Sequence, residues 1–195
     1  MNILLHACCG PCTIYPLSVL RSQNHDVTAY FNNPNIHPYK EFKRRLDTLK
    51  EFAKSEWFPL ISEDQYGLTE FLQKVVFKEK SRCPICYEMR LEKTAQYAAE
   101  NGFAAFTTTL LYSRYQNHEL IMSKCEKLAQ TYSLQFIYED FRAGWQQGID
   151  LSIEKDMYRQ PYCGCIYSEQ ERYDKSLRKN KAKSTHQKTS TKVNF

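Results

Sequence analysis

Seven of the eight cysteines in this 195-residue sequence lie in three short segments. The segments are Cys8-Cys9-Gly10-Pro11-Cys12, Cys83-Pro84-Ile85-Cys86 and Cys163-Gly164-Cys165. Thiolates are the ligands of iron–sulfur clusters and of structural zinc, and each of these centres takes four cysteines in its common form. Seven thiolates exceed the need of either centre. The spacing therefore favours two adjacent metal centres, or one cluster with a separate reactive thiol.

The tetrapeptide Cys9-Gly10-Pro11-Cys12 also has the spacing of a thioredoxin-type redox pair. A redox pair would not need the other two segments, so the whole chain favours metal binding over a dithiol. The eighth cysteine, Cys125, is different, because it shares a helical spacing with Ile121 and Leu128. That pattern predicts a small core residue and not a ligand.

Short apolar runs alternate with longer amphipathic stretches along the chain. The predicted strands are 2–7, 27–31, 58–61, 103–108 and 134–138, and the predicted helices are 13–22, 39–55, 67–77, 84–100 and 116–132. This alternation predicts a single α/β domain, Rossmann-like or HUP-like, with a mostly parallel sheet flanked by helices. Sites in such folds lie at the carboxyl ends of the strands, so we expect the metal site at that edge.

Each cysteine segment has a position on this scaffold. Cys8, Cys9 and Cys12 follow the first strand and begin the first helix, where free backbone N–H groups favour thiolates. Pro84 suits a first helical position, so Cys83 and Cys86 are expected to flank a second helix N-terminus. Cys163 and Cys165 lie on a glycine-containing turn. We therefore expect all three segments to meet at one edge of the sheet.

Length and composition indicate a single cytoplasmic domain. A chain of 195 residues with 42% apolar residues can form one core. The N-terminal residues read as a strand, without a basic leader or a long apolar segment, so we expect neither a signal peptide nor a membrane span. Thiols stay reduced in the cytoplasm, and the active form is therefore expected to contain no disulfide.

The positive charge is concentrated at the C-terminal end. The net charge is +5, but residues 172–195 contain eight Lys or Arg and one Asp, which leaves −2 on the rest. We expect a metal-binding catalytic domain over 1–170 and a basic, disordered tail over 171–195. The tail either serves solubility or contacts nucleic-acid phosphates.

Six segments of the chain, in order, resemble the cobalamin-independent epoxyqueuosine reductase family, QueH. They are "LLHACCGPC", "YFNNPNIHP", "CPICYEMRLEKTA", "FTTTLLYSRYQNHE", "YEDFR" and "YRQPYCGCIYS", and the match runs in order through residues 2 to about 168. The resemblance implies reduction of the epoxide of epoxyqueuosine at the wobble position of tRNA, with a [4Fe-4S] cluster and an adjacent mononuclear metal, iron or zinc. Family members commonly carry Ala at the position of Gly10, which makes the likeness to thioredoxin accidental.

The resemblance also implies roles for individual residues. The metal ligands would be Cys8, Cys9, Cys12, Cys83, Cys86, Cys163 and Cys165. We assign Cys9, Cys83, Cys86 and Cys163 to the cluster and Cys8, Cys12 and Cys165 to the second metal. Expected substrate-binding residues follow the second strand (Asn32, Asn33, Asn35 and His37) or precede the third cysteine segment (Tyr158, Arg159 and Gln160). An Asn-Pro turn and a surface segment are the structural alternatives for these two groups.

Other polar residues near strand ends have simpler explanations. His6 is expected to be a hydrogen-bonded packing residue, and Asp140 with Arg142 fits a helix cap and its ion pair. The run "KEFKRRLDTLK" fits a solvated helix face better than an RNA contact. The expected partners are tRNA carrying epoxyqueuosine and an unidentified electron donor, and the chain is expected to be a monomer.

Two other functions remain open from the sequence alone. One is an ATP-dependent tRNA sulfurtransferase of the PP-loop type, although the first strand leads into Cys8-Cys9 and not into a phosphate-binding loop rich in Gly and Ser. The other is a zinc-stabilised RNA-binding protein without catalysis.

Overall fold

Five parallel strands form the central sheet of the computed structural model, which describes residues 1–176. The strands are β1 (Asn2–His6), β2 (Asp26–Phe31), β3 (Leu60–Ser62), β4 (Ala105–Thr108) and β5 (Gln135–Phe136). Their spatial order is β3-β2-β1-β4-β5, and every neighbouring pair is parallel. The predicted parallel α/β sheet is therefore confirmed.

Helices connect and cover the strands. They are α1 (Gly10–Ser22), α2 (Tyr39–Ser55), α3 (Leu68–Val75), α4 (Arg82–Glu100), α5 (His118–Tyr132), α6 (Trp145–Glu154) and α7 (Ile166–Tyr173). Short 3-10 helices cover Glu79–Ser81, Thr109–Tyr112 and Phe141–Gly144. None of the helices within residues 1–176 is long and apolar enough to cross a membrane.

The strand order reverses beside β1. The chain proceeds from β1 outward to β2 and β3, and then crosses to β4 and β5 on the other side. Because neighbouring connections leave in opposite directions at such a point, a crevice opens at the carboxyl ends of β1 and β4. Cys8 follows β1 and Thr109 follows β4, and the Cys8 backbone N–H donates to Thr109 Oγ1 at 3.1 Å. The first cysteine segment therefore lies at this crevice.

The inner strands of the sheet, β1, β2 and β4, are buried on both faces. Ile3, Leu4 and Leu5 on β1 have no exposed area, and neither do Ala105 and Phe106 on β4. Burial on both faces explains why the inner strands read as continuous apolar runs and not as an alternating pattern. This rigid sheet fixes the positions of the loops at its carboxyl edge.

The structure refines several predicted boundaries. All five strands exist, but the sequence analysis missed α6, α7 and the three 3-10 helices. Helix α4 begins at Arg82, so Pro84 occupies the third helical position and not the first. Helix α7 continues to Tyr173, past the expected end of the domain at residue 170. Residues 177–195 lie outside the described part, and the prediction of a disordered tail concerns mainly these residues.

Candidate metal centre and adjoining cavity

The first cysteine segment forms a compact group of three thiols. The Sγ atoms of Cys8, Cys9 and Cys12 all lie within 4.8 Å of one another, and the Sγ atoms of Cys8 and Cys9 are 3.7 Å apart. Cys9 is the N-cap residue of α1, with an extended backbone, and its side chain is buried. Such a group can hold a metal ion.

One of these three thiols is favoured as a thiolate. Hydrogen bonds from the thiols of Cys12 and Cys9 lower the pKa of Cys8 well below its usual value, and the Thr109 hydroxyl, 3.4 Å from Cys8 Sγ, adds to the effect. Burial raises the pKa of Cys9. Of the three thiols, Cys8 therefore loses its proton most readily, and the thiolate is the form that binds metal.

The other four clustered cysteines lie close to one another. Cys86 and Cys165 pack in one small apolar cluster with Phe71, Val75 and Met89. Burial raises the pKa of Cys86 to about 12, and the charges of the nearby Cys163 and Cys165 thiolates add to this rise. Partial burial raises the pKa of Cys83, and the charges of Cys163 and Cys165 raise it further. The second and third segments thus meet, as their expected positions on the sheet require.

A buried arginine of α4 faces thiols of all three segments. Arg90 Nη1 lies 4.0 Å from Cys86 Sγ, and its Nη2 donates to Asn33 Oδ1 at 2.7 Å. Its positive charge favours the thiolate forms of Cys8, Cys86 and Cys163. An unpaired buried guanidinium would be costly, so the nearby sulfurs account for its location.

A second buried arginine, Arg45 on α2, holds the third segment in place. Its Nη1 donates to the Cys163 carbonyl and its Nη2 to the Tyr162 carbonyl, both at 2.9 Å. Its Nε donates to Glu41 Oε1 at 2.7 Å. The prediction of a solvated face for this stretch of α2 is correct for Lys43 and its partner Asp47 but wrong for Arg45.

The loop of residues 32–37, which follows β2, contacts the Cys163-Gly164-Cys165 turn on its buried side. His37 N–H donates to the Gly164 carbonyl at 2.8 Å, and Asn33 Nδ2 donates to the Ala7 carbonyl at 3.0 Å. A Cβ at Gly164, which has φ +144°, would lie 3.1 Å from Asn35 Nδ2. Asn35 is 1% exposed, and neither polar atom of its side chain has a hydrogen-bond partner among the described residues.

A cavity of about 680 Å³ opens beside the thiols. Cys8, Cys12 and Cys163 line it, together with three aromatic residues, Tyr112, Tyr115 and Trp145, which we call the aromatic wall. The remaining lining includes Arg159 and Gln160, but none of Asn32, Asn33, Asn35, His37 or Tyr158. Of the predicted substrate-binding residues, the structure thus brings two to the cavity and places Asn33, Asn35 and His37 in the interior.

The aromatic wall was not predicted from the sequence. The Tyr112 and Trp145 rings are 5.2 Å apart, and Tyr115 meets Trp145 edge-on at 5.7 Å. Tyr112 donates to the Trp145 carbonyl at 3.0 Å, and a Cβ at Gly148 would lie 2.2 Å from the Tyr112 hydroxyl oxygen. The sequence pattern that could have indicated this wall is the pair of tyrosines, Tyr112 and Tyr115, shortly after β4. Tyr115 is 84% exposed, as a residue at a binding mouth can be.

Two glutamine amides contact cavity thiols. Gln160 Nε2 lies 3.1 Å from Cys12 Sγ, and Gln116 Nε2 lies 3.3 Å from Cys163 Sγ. The orientation of Gln116 is fixed, because its Oε1 accepts a hydrogen bond from Tyr87 at 2.8 Å. These N–H groups can stabilise negative charge on sulfur.

The other polar candidates have structural roles. His6 is buried and its Nδ1 lies 2.9 Å from Thr108 Oγ1, as expected for a packing residue. Asp140 accepts hydrogen bonds from the backbone and side chain of Arg142, which confirms the cap and ion pair. Cys125 has no exposed area and belongs to the main core, as predicted.

Known proteins are similar to this chain in sequence and in fold. The family model "Epoxyqueuosine reductase QueH" matches residues 3–171. Curated relatives with that name include proteins from Dehalococcoides mccartyi (38% identity, covering 89% of this chain and 96% of the relative) and Thermotoga maritima (33% identity, 89% and 93%). A solved structure titled as a predicted subunit of tRNA methyltransferase from Methanocaldococcus jannaschii has a TM-score of 0.53 at 16% identity, covering 79% of this chain and 76% of that one, and is similar in fold. With the family model matching most of the chain and relatives above 30% identity along nearly their whole length, the chain belongs to the epoxyqueuosine reductase QueH family.

Proposed function

We propose that this chain reduces epoxyqueuosine to queuosine at the wobble position of tRNA, and that its clustered cysteines hold a [4Fe-4S] cluster and an adjacent mononuclear metal, iron or zinc. The observation that carries the proposal is a cavity lined by both thiols and aromatic rings. Membership of the QueH family supports the same reaction. Its partners would be the tRNA and an electron donor in the cytoplasm.

The residues present suit the proposed metal centres. All seven clustered cysteines are free thiols, and Cys8, Cys9 and Cys12 form one compact group. Two buried guanidinium groups, those of Arg45 and Arg90, lie beside them. Asn35 adds a buried amide without a partner among the described residues. Anionic thiolate–metal centres are commonly stabilised by such cations and amide donors.

Two allotments of the seven cysteines are compatible with these contacts. In the first, Cys9, Cys83, Cys86 and Cys163 hold the cluster, and Cys8, Cys12 and Cys165 hold the second metal. In the second, the compact group Cys8, Cys9 and Cys12 holds the single metal and leaves the other four for the cluster. Cys9 and Cys165 exchange roles between the two allotments.

Conversion of an epoxide to an alkene consumes two electrons and two protons and releases the oxygen as water. When bound, a low-potential cluster would supply electrons and a neighbouring metal would polarise the epoxide oxygen as a Lewis acid. The chain itself must bring the modified base to this edge of the sheet and hold it there. It must also keep the thiols in position throughout the reaction.

The cavity has the properties needed to bind a base turned out of the anticodon loop. A base is held most easily when it stacks on aromatic or planar groups. Tyr115 offers a largely exposed ring at the cavity, and Trp145 beside it packs against Tyr112 and the Arg114 guanidinium, which lies 5.7 Å from its ring centroid. Arg159 adds a positive charge to the lining. Each stacked ring contributes about 1–3 kcal/mol to single-stranded binding.

The two alternative functions are less well supported. A PP-loop sulfurtransferase needs a phosphate loop after its first strand, whereas here β1 is followed by the cysteine group and α1 begins at Gly10. A zinc protein without catalysis would need only one closed site. Such a protein would also be colourless, while an anaerobically purified cluster protein is brown.

The test is metal and nucleoside analysis of single cysteine variants made anaerobically. Cys83→Ser, Cys86→Ser and Cys163→Ser should each lose most iron and sulfide and all epoxyqueuosine reduction, because one lost ligand loosens a site shared by remote segments. Cys125→Ala is the control and should keep both. Full activity of Cys83→Ser, or a reversible Cys9–Cys12 disulfide in active enzyme, would restore the redox-pair interpretation.

The same measurements distinguish the two allotments. If Cys9 binds the cluster, Cys9→Ser should lose cluster iron and sulfide, whereas Cys165→Ser should keep the sulfide and lose only the single metal. The reverse outcome supports the compact group as the single-metal site. Sulfide per chain is the deciding value, because a mononuclear metal contains none.

A further inference from the structure

The loop between α3 and α4 exposes an apolar side chain to solvent. Phe77 is 93% exposed and its neighbour Val76 is 47% exposed. Phe77 has φ +64°, a left-handed conformation that is rare for a bulky residue. Its backbone N–H donates to Glu79 Oε1 at 2.9 Å, and Lys78 N–H donates to the Val75 carbonyl at 2.9 Å. The loop thus holds a large hydrophobic residue outward in a strained conformation.

Three lysines flank this exposed ring in the sequence. Lys74, Lys78 and Lys80 are all exposed, and within residues 1–176 none of them forms an ion pair. The nearest acid in the loop, Glu79, is engaged by the Phe77 backbone. We name Lys74, Val76, Phe77, Lys78 and Lys80 the Phe77 surface. An apolar centre with a basic rim matches an acidic protein surface.

The Phe77 surface leads along the chain to an exposed cysteine. The loop continues through Glu79–Ser81 into the first turn of α4, where Cys83 and Pro84 are exposed. Cys83 does not line the cavity, although its neighbour Arg82 pairs at 3.0 Å with Glu171, a residue of the cavity lining. The cysteine array is therefore exposed at Cys83 as well as in the cavity.

We propose that the Phe77 surface docks an acidic protein with a low-potential one-electron centre, which delivers electrons to the metal centre at its Cys83 side. The inference rests on the proposed function, which needs two electrons per epoxide. The donor is oxidised by one electron at each of two visits, both carbon–oxygen bonds of the epoxide break, and two protons leave with the oxygen as water.

Binding of reduced and oxidised flavodoxin, an acidic one-electron carrier, to the full-length holoprotein tests the proposal. The variants are Lys78→Glu/Lys80→Glu and Phe77→Ala, and Lys127→Glu on the exposed face of α5 is the matched control. The charge-reversal variant should bind flavodoxin about tenfold more weakly at low salt, with less difference at high salt. Phe77→Ala should bind more weakly at both salt concentrations. The control should behave as the wild type.

Turnover measurements separate this inference from the proposed function. With a small chemical reductant, all variants should reduce epoxyqueuosine in tRNA at the wild-type rate and bind tRNA equally well. With flavodoxin as donor, only the Phe77 surface variants should show a raised KM for flavodoxin. Absence of chemical turnover in the wild type would contradict the proposed function. Unchanged flavodoxin affinity in the variants, or a loss of tRNA affinity instead, would overturn the docking proposal.

Discussion

Cys8 and Cys125 show how surroundings decide the role of one residue type. Cys8 lies among two other thiols and the Thr109 hydroxyl, whose hydrogen bonds lower its pKa. Cys125 has no exposed area and packs in the main core, where burial raises its pKa. A thiol in the first setting is prepared to bind metal, whereas a thiol in the second behaves as a small apolar side chain.

Replacement of Cys125 by alanine should therefore affect stability alone. We expect Cys125→Ala to cost about 1–2 kcal/mol in the free energy of unfolding, because a small core group is removed without loss of a hydrogen bond. Denaturant titration measures this cost, and metal analysis should show unchanged iron. Cys86→Ala is the matched variant at a proposed ligand and should lose iron. Loss of iron from Cys125→Ala would contradict the core assignment.

His37 is a buried base whose protonation opposes folding. It has no exposed area, it packs against the Tyr66 and Phe71 rings, and its Nδ1 accepts a hydrogen bond from the Ile166 N–H at 3.4 Å. Burial lowers the pKa of His37 to about 4. Since the unfolded chain has a pKa of about 6.5 at this residue, it binds the proton more readily below that pH.

Stability from the neutral His37 ring should accordingly decline as the pH falls from about 6.5 to about 4. Its contribution is fully present above pH 6.5. Between pH 7 and pH 5 the wild type should lose about 2 kcal/mol more than His37→Gln, which does not titrate in this range. Denaturant titrations of both proteins at the two pH values give this difference. Parallel pH dependence of the two proteins would show that His37 does not titrate as its burial implies.

At the scale of elements, helix α2 fixes the turn that carries the third cysteine segment. Arg45 spans from Glu41 on its own helix to the carbonyls of Tyr162 and Cys163, and the Tyr158 hydroxyl donates to the other oxygen of Glu41 at 2.5 Å. These contacts join residues more than one hundred positions apart in sequence. The helix thus positions a segment that has little regular structure of its own.

Loss of the Arg45 guanidinium should loosen this segment and its metal. We expect Arg45→Met to cost about 3 kcal/mol, since it leaves Glu41 and two carbonyls without their donor, and to lower iron per chain. Arg45→Lys should recover only part of the loss, because one ammonium group cannot reproduce the fork of donors. Lys43→Met, on the exposed side of α2, is the control. Hydrogen exchange over 158–168 should rise only in the Arg45 variants, and unchanged exchange there would contradict this role.

Strands and helices can be predicted from the sequence where the pattern of apolar residues follows the burial of the element. The strands were found within a few residues because buried parallel strands are continuous apolar runs, as in Ile3, Leu4 and Leu5. Helix α7 was missed because "IYSEQERY" has no apolar repeat, and its N-cap is a cysteine, Cys165, where Ser, Thr, Asp or Asn would mark a helix start. The cysteine segments were recognisable from spacing. The aromatic wall was not, because Tyr112 and Trp145 meet only through tertiary contacts.

At the scale of the whole molecule, the sheet order explains why remote cysteines converge. Reversal of the strand order beside β1 opens the crevice where the first segment lies, and α4 and the turn before α7 bring the other two to the same edge. The cavity opens on this edge beside a nearly neutral body. Six of the 27 Lys and Arg and none of the 22 Asp and Glu lie in residues 177–195, so residues 1–176 carry a net charge of −1.

This distribution of charge predicts that the C-terminal residues supply much of the electrostatic attraction to tRNA. Deletion of residues 177–195 removes no proposed metal ligand, so iron content and chemical turnover at saturating tRNA should stay unchanged. The affinity for tRNA should fall, and the slope of log K against log salt should become shallower by about 0.7–0.9 for each lost phosphate contact. A full-length variant with the six basic residues replaced by Gln is the matched control, and it should behave as the deletion does if charge alone is responsible. Fluorescence anisotropy at several salt concentrations measures both quantities, and equal slopes for the deletion and the wild type would show that these residues make no contact with RNA.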